Sequence, residues 1–354
     1  MFAGHPPTPQ GRLAEPASTG GPRCCFPVTP RPGTPIRRLR RPSPDLSRFP
    51  GRVMSLRLVP PLPSGTPGDQ GLTGPGSAMW RISRERVVLL GGLSALLLQL
   101  AHPLVAAGVA EHSSFHDDPI KRLKRTLELL LVTTFGDARQ AGEMTRRIAA
   151  IHRVVNGSLQ QDVGEWRRGT RYSAASPELC LWVYATIVET ALNSYGTFVR
   201  PLEGDERAEL YRESERFGQL CGVGKDIRPA SYQDFQDYYA RTLSRLTAGD
   251  QARSAARTIL RARLRGIPVP PWGYLLAAGL LPAPLRAQYG LRWSAAQRAL
   301  WWLFTHATHV VMCRLAPPRI RFWGHYHVAV ARCRPAARSP LNTPGRSRLT
   351  LHRS

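Results

Sequence analysis

His152 is the residue whose surroundings in the chain most invite chemistry. A helix expected over about 137–155 carries an apolar stripe of Ala141, Met144, Ile148, Ile151 and Val155, and His152 falls within it. A neutral imidazole so placed can ligate a metal or haem iron through one nitrogen while a hydrogen bond holds the other. A core histidine bonded to a backbone carbonyl is the alternative. One helix earlier, Arg122 and Thr126 stand four apart and share a face, with Arg125 one step round it. An arginine carried into a buried setting needs an anion or several acceptors. Glu111, His112, His116, Asp117 and Asp118 also gather hard ligands within eight residues. No helical register puts them on one face, so a polar loop is the ordinary account and a non-haem metal site on Glu111, His112 and His116 the rival one.

These groups need elements to hold them. Asp118 followed by Pro119 reads as an acidic cap and first residue of a helix, which Gly136 ends after Phe135. Its stripe is Leu123, Leu127, Leu130, Leu131 and Thr134, widened by Leu129, Val132 and Phe135, so the second half should be buried. Ser176 and Pro177 start another helix, apolar through Phe198, in which Glu189 and Asn193 share a face and lie either at a pocket edge or in solvent. Further helices are expected at about 205–221, 232–246, 251–265 and 294–315, the last opened by a Ser294/Gln297 capping box. His306 and His309 on it read as core or surface histidines. The run from Val87 to Val109 is long and apolar enough to suggest a membrane span. Gly91, Gly92, Gln99, His102 and Pro103 argue instead for a buried helix and a second short one. No segment alternates as a strand between hairpin turns, so the fold class is all-α: one multi-helix domain around a pocket, with disordered N- and C-terminal tails.

The stretch GGLSALLLQLAHPLVAAGVAEHSSFHDDPIKRLKRT, then FG, IHRVVNG and SPELCLWVYATIVE, resembles the haem-b oxygenases that include latex-clearing (rubber) oxygenases and mpaB-type oxygenases. The resemblance spans about residues 80–315. It implies haem b as cofactor, His152 as iron ligand, and Arg122 and Thr126 at the haem edge or beside bound oxygen. In rubber-cleaving members a lysine stands three residues after the arginine and caps the iron. Here that position is Arg125, which cannot act as a neutral nitrogen ligand and leaves an open or water-bound site. The function it implies is a haem-dependent oxygenase acting with O₂ on a small hydrophobic substrate, an isoprenoid or other alkene. A haem-binding or membrane-associated protein without turnover is the alternative.

Composition bounds the rest. Residues 1–78 hold 17 of 32 prolines and 11 of 31 glycines without apolar periodicity, so they are expected to be disordered, with Met79 a second candidate start. Residues 316–354, which carry no acid, are expected to be a disordered basic tail, leaving 79–315 as the catalytic domain. The net charge of +25 sits more than half in the tails. It is nearly all arginine, and no nucleic-acid-reading motif accompanies it, so no specific nucleic-acid partner is expected. The basic tails can contact a membrane surface, and the apolar residues of the segment 268–284 either the core or a bilayer surface. Six scattered cysteines without a C-x-x-C pair fit a reducing compartment, and the N-terminus shows no signal peptide, so a cytoplasmic, membrane-associating protein is expected.

Overall fold

The computed structural model describes residues 59–60, 62–112, 119–260, 263–264, 267–268 and 271–334. The helical part opens with α1 (Ala78–Ser83), whose first turn is capped by the Ser77 hydroxyl accepting from the Trp80 amide. The apolar run then divides instead of making one rod. A 3₁₀ turn (Arg86–Gly91) leads into α2 (Gly92–Leu100), and Pro103 starts α3 (Pro103–His112) after a bend of 103°. Proline at 103 lacks the amide that would continue α2, which fixes the break. Among the described residues no single helix is long and apolar enough to cross a membrane. Gly91 allows the close approach that follows, since a Cβ there would lie 2.0 Å from Ser194 Oγ.

α4 (Pro119–Phe135) and α5 (Ala138–Val154) form a hairpin around Gly136. Asp137 caps α5 through a reciprocal capping box with Gln140. The expected Asp118 cap of α4 lies outside the described residues. β1 (Asn156–Ser158) pairs antiparallel with β2 (Arg171–Ser173), Gly157 opposite Tyr172. α6 (Pro177–Phe198) is the central helix, with Ser176 as cap and both faces covered: Tyr184, Ala185, Leu192 and Phe198 are wholly buried. The helix expected over 205–221 is two, α7 (Gly204–Glu213) and α8 (Glu215–Leu220). Ser214 breaks it by turning its hydroxyl to the Tyr211 carbonyl at 2.6 Å and to Tyr184 Oη at 2.6 Å, the local competition that serine offers a helix.

α9 (Tyr232–Arg245) and α10 (Asp250–Leu260) follow, then a two-residue ladder of β3 (Arg263–Leu264) and β4 (Ile267–Pro268), where the sequence reading had continued the helix. The proline-interrupted segment folds as α11 (Pro271–Leu280) and α12 (Ala283–Gln288). α13 (Ala295–His309) has the expected Ser294/Gln297 capping box and widens into a π-helical turn, Val310–Leu315. The class is mostly helical, as the periodicities indicate.

The fold extends past both expected tail boundaries. α14 (Pro318–Arg321) lies against the π-helical turn, and α15 (Gly324–Cys333) packs on α4 through Ala329 and its cap residue Trp323, both buried. Arg332 of α15 is buried and donates to the carbonyls of Asp69 (2.7 Å), Phe135 (2.9 Å) and Gly136 (3.3 Å). Before α1, Thr66 donates through its amide and hydroxyl to Asp137 Oδ2, and Gly68 N donates to Arg332 O. Gly71, at φ +69°, passes so near the hairpin that a Cβ would meet Gly136 O at 2.3 Å. Composition misses these segments because polar side chains and backbone hydrogen bonds anchor most of them, whereas apolar periodicity reports only hydrophobic burial. Residues 1–58 and 335–354 lie outside the described residues.

Candidate functional site

A cavity of about 190 Å³, open in part to solvent, lies between α2, α4 and α6. Its room comes from small side chains at helical spacing. On α2 the facing residues are Gly92, Ala95, Leu96 and Gln99, and on α6 Ile187, Val188, Thr190 and Ala191. α4 supplies Leu127, Leu130, Leu131 and Thr134 of its expected stripe, together with Thr126. Ser214, Phe217 and Trp323 also face it.

The walls are mostly apolar, with a few polar groups set into them. Gln99 donates to Thr186 Oγ1 at 3.1 Å, which anchors its amide. Thr190 Oγ1 is buried and makes no hydrogen bond among the described residues. Glu85 is 1 % exposed on the cavity wall, and its carboxylate accepts from Arg321 Nε (2.7 Å) and Nη2 (2.8 Å). Neither partner stands out in the sequence, since 236 residues separate them. Gln99 had shown itself only as a polar interruption of the apolar run.

The structure places the sequence-derived residues unevenly. Thr126 faces the cavity, and Arg125 is exposed on α4 outside the cavity lining. Arg122 is in the α4 backbone, and its side chain lies outside the described residues. His152 sits on the inward stripe of α5 with Ala141, Thr145 and Ile148, half-buried, and is not among the described cavity-lining residues. Burial holds its imidazole below the usual histidine range, so it is neutral near pH 7. Its ring makes no hydrogen bond to the described residues. α5 folds back along α4, so the end of α5 that carries His152 runs back towards the start of α4.

The rival ligand group is otherwise engaged. Glu111 Oε2 accepts from Tyr172 Oη at 2.7 Å, and His112 Nε2 lies 2.9 Å from the Asn156 carbonyl, so both brace the β1–β2 hairpin. His116, Asp117 and Asp118 lie outside the described residues. No group of three or more potential ligands gathers to hold a metal ion among the described residues. Glu189 is half-buried and outside the described cavity lining: Asn193 Nδ2 donates to it at 3.0 Å, and burial raises its carboxyl above the usual range.

Residues 80–310 match the family described as ER-bound oxygenase mpaB/B'/Rubber oxygenase, catalytic domain. The chain belongs to this family. The mpaB/rubber oxygenase match begins at Trp80 in α1 and ends at Val310, so Thr66, which bonds Asp137, and α15 lie outside it. The Uncharacterized protein Mb2261 of Mycobacterium bovis and the Uncharacterized protein Rv2237 of Mycobacterium tuberculosis are each 27 % identical over 221 residues, 59 % of this chain and 83 % of theirs. No solved structure matches the chain. The cavity described above is therefore enclosed by the helices of an oxygenase domain.

Proposed function

We propose that the protein is a haem-dependent oxygenase, an oxidoreductase that uses haem b and O₂ on a hydrophobic substrate such as an isoprenoid or other alkene. The observation that carries the reading is the apolar cavity with Thr126 of the Arg122/Thr126 pair in its wall. The residues fit the cofactor in two respects. His152 is partly buried and held neutral by that burial, and although it stands outside the described cavity lining, neither ring nitrogen is taken up by a described residue, which leaves one for iron. The unfilled space is bounded mainly by aliphatic side chains, which exclude water from a planar apolar ligand and from a hydrophobic substrate.

In this reading His152 would hold the iron, with Arg122 and Thr126 at the cofactor edge. Haem, when bound, supplies the oxygen chemistry that side chains lack. The chain's own work is to bind, orient and desolvate. Thr126 presents a hydroxyl to the cavity, Gln99 is held in place by Thr186, and the buried Thr190 hydroxyl is available to a polar group on the ligand. Arg125 projects outside the described lining, which suits an iron face without a protein ligand.

The visible spectrum of the purified protein tests the reading. It should show an intense Soret band that His152→Ala removes or weakens, with loss of stoichiometric haem. A normal Soret band in that variant would exclude His152, and its absence from the wild type after haem supplementation would exclude the cofactor. Arg122→Ala separates oxygenase from passive carrier: haem retained with oxygen consumption lost marks support of the reaction, and both falling together marks anchoring alone.

A further inference from the structure

The middle of α13, residues 299–304, is apolar on every side, a pattern that belongs in a core or in a membrane. Its inward side is accounted for, since Trp301 and Phe304 both meet Phe198 edge-on. The outward side is not covered by any of the described residues. Leu300, Trp302 and Leu303 are 56 %, 65 % and 58 % exposed, and the surface continues through Val311 to Leu315 at 72 %. Of the nine large apolar side chains exposed among the described residues, seven lie between Leu300 and Ile320. Soluble monomers rarely leave so continuous a patch in water.

The charge around this face is of one sign. Residues 251–354 contain 17 arginines and no aspartate or glutamate. Arg292, Arg298, Arg314 and Arg319 are exposed at the two ends of the apolar surface. Trp302 stacks on exposed His306 at 5.3 Å, an aromatic pair of the amphipathic kind that settles at a membrane–water boundary.

From these observations we propose that the outward face of α13 and its π-helical extension docks on an anionic phospholipid bilayer, with the helix lying in the plane of the interface. Apolar side chains would enter the acyl boundary while the flanking guanidiniums meet lipid phosphates. A second copy of the chain is a poorer occupant. A two-fold contact through this face would press Arg298 and Arg314 towards their own mates with no acid on the face to neutralise them. The surface also adjoins the cavity through the chain: Arg321, just beyond it, holds Glu85 on the cavity wall, and Trp323 lines that wall.

The test is flotation of the full chain with vesicles of phosphatidylglycerol and phosphatidylcholine, beside pure phosphatidylcholine vesicles, and needs neither haem nor turnover. The wild type should float with the anionic vesicles, less so at raised salt, and Trp302→Glu/Leu303→Glu should lower partitioning by roughly tenfold or more. Both positions are exposed, and an unchanged circular dichroism melt would show the variant folded. Failure of the wild type to float overturns the proposal. So does wild-type flotation by the folded variant, which would assign binding to the arginine-rich ends alone. A wild-type dimer that the variant converts to monomer would assign the face to a second copy.

Discussion

Replacing Arg321 with methionine leaves the Glu85 carboxylate without its two-pronged partner in a place that is 1 % exposed. The nearest remaining cation is Arg84, whose Nε is 3.8 Å from Glu85 Oε1. Breaking a buried pair from one side typically costs about 3–5 kcal/mol, because the surviving charge is stranded. Arg84 offsets some of this, so we expect a loss of about 2–4 kcal/mol. In a domain of this size that lowers Tm by roughly 5–10 °C. Urea melts at neutral pH, read by far-ultraviolet circular dichroism, measure it directly. The decisive comparison is Glu85→Gln/Arg321→Met, in which no charge is stranded. It should recover at least about 1 kcal/mol relative to the sum of the single variants. A single variant within about 0.5 kcal/mol of wild type, or a double variant as damaged as that sum, would refute the claim that Glu85 is held as a buried ion by the segment after the π-helical turn.

Stability should also depend on pH through His102 and His325, which burial depresses to about 4. The unfolded chain binds these protons first as pH falls, so stability is full above about 6.5 and declines towards pH 4, by up to roughly 3 kcal/mol per residue. A flat melting temperature across that window would contradict it. Ala95→Phe, placed on the α2 wall, should fill part of the cavity, sparing the fold while lowering haem content or substrate oxidation. Unchanged haem and turnover would place the reaction elsewhere. Arg332→Met should cost about 3 kcal/mol, since buried carbonyls of Asp69, Phe135 and Gly136 lose their donor, and chemical denaturation would check it.

How much was legible in the sequence varies with the range of the interaction responsible. α4, α6 and α13 begin where proline and capping residues announce them, because caps act within one turn. The bend at Pro103 is equally local. The break at Ser214 was not legible, since it depends on Tyr184, 30 residues away. The contribution of residues 62–77 and of α15 was missed for the same reason: Arg332 bonds residues 196, 197 and 263 positions distant. At the candidate site the α4 stripe predicts one wall of the cavity. The hollow itself required knowing that Gly92 and Ala95 of α2 face Ala191 of α6, which no spacing within either helix declares.

The Arg332 contacts bear on how the chain must be made. Emerging from a ribosome amino end first, α4 and α5 can form their hairpin early, yet the carbonyls of Phe135 and Gly136 await a donor synthesised almost 200 residues later. Until α15 has emerged, the loop around Gly71 and the α4–α5 corner have no Arg332 to join them. A nascent chain halted before Arg332 would therefore expose Trp80 and Phe135, both wholly buried in the finished protein, to chaperones and proteases.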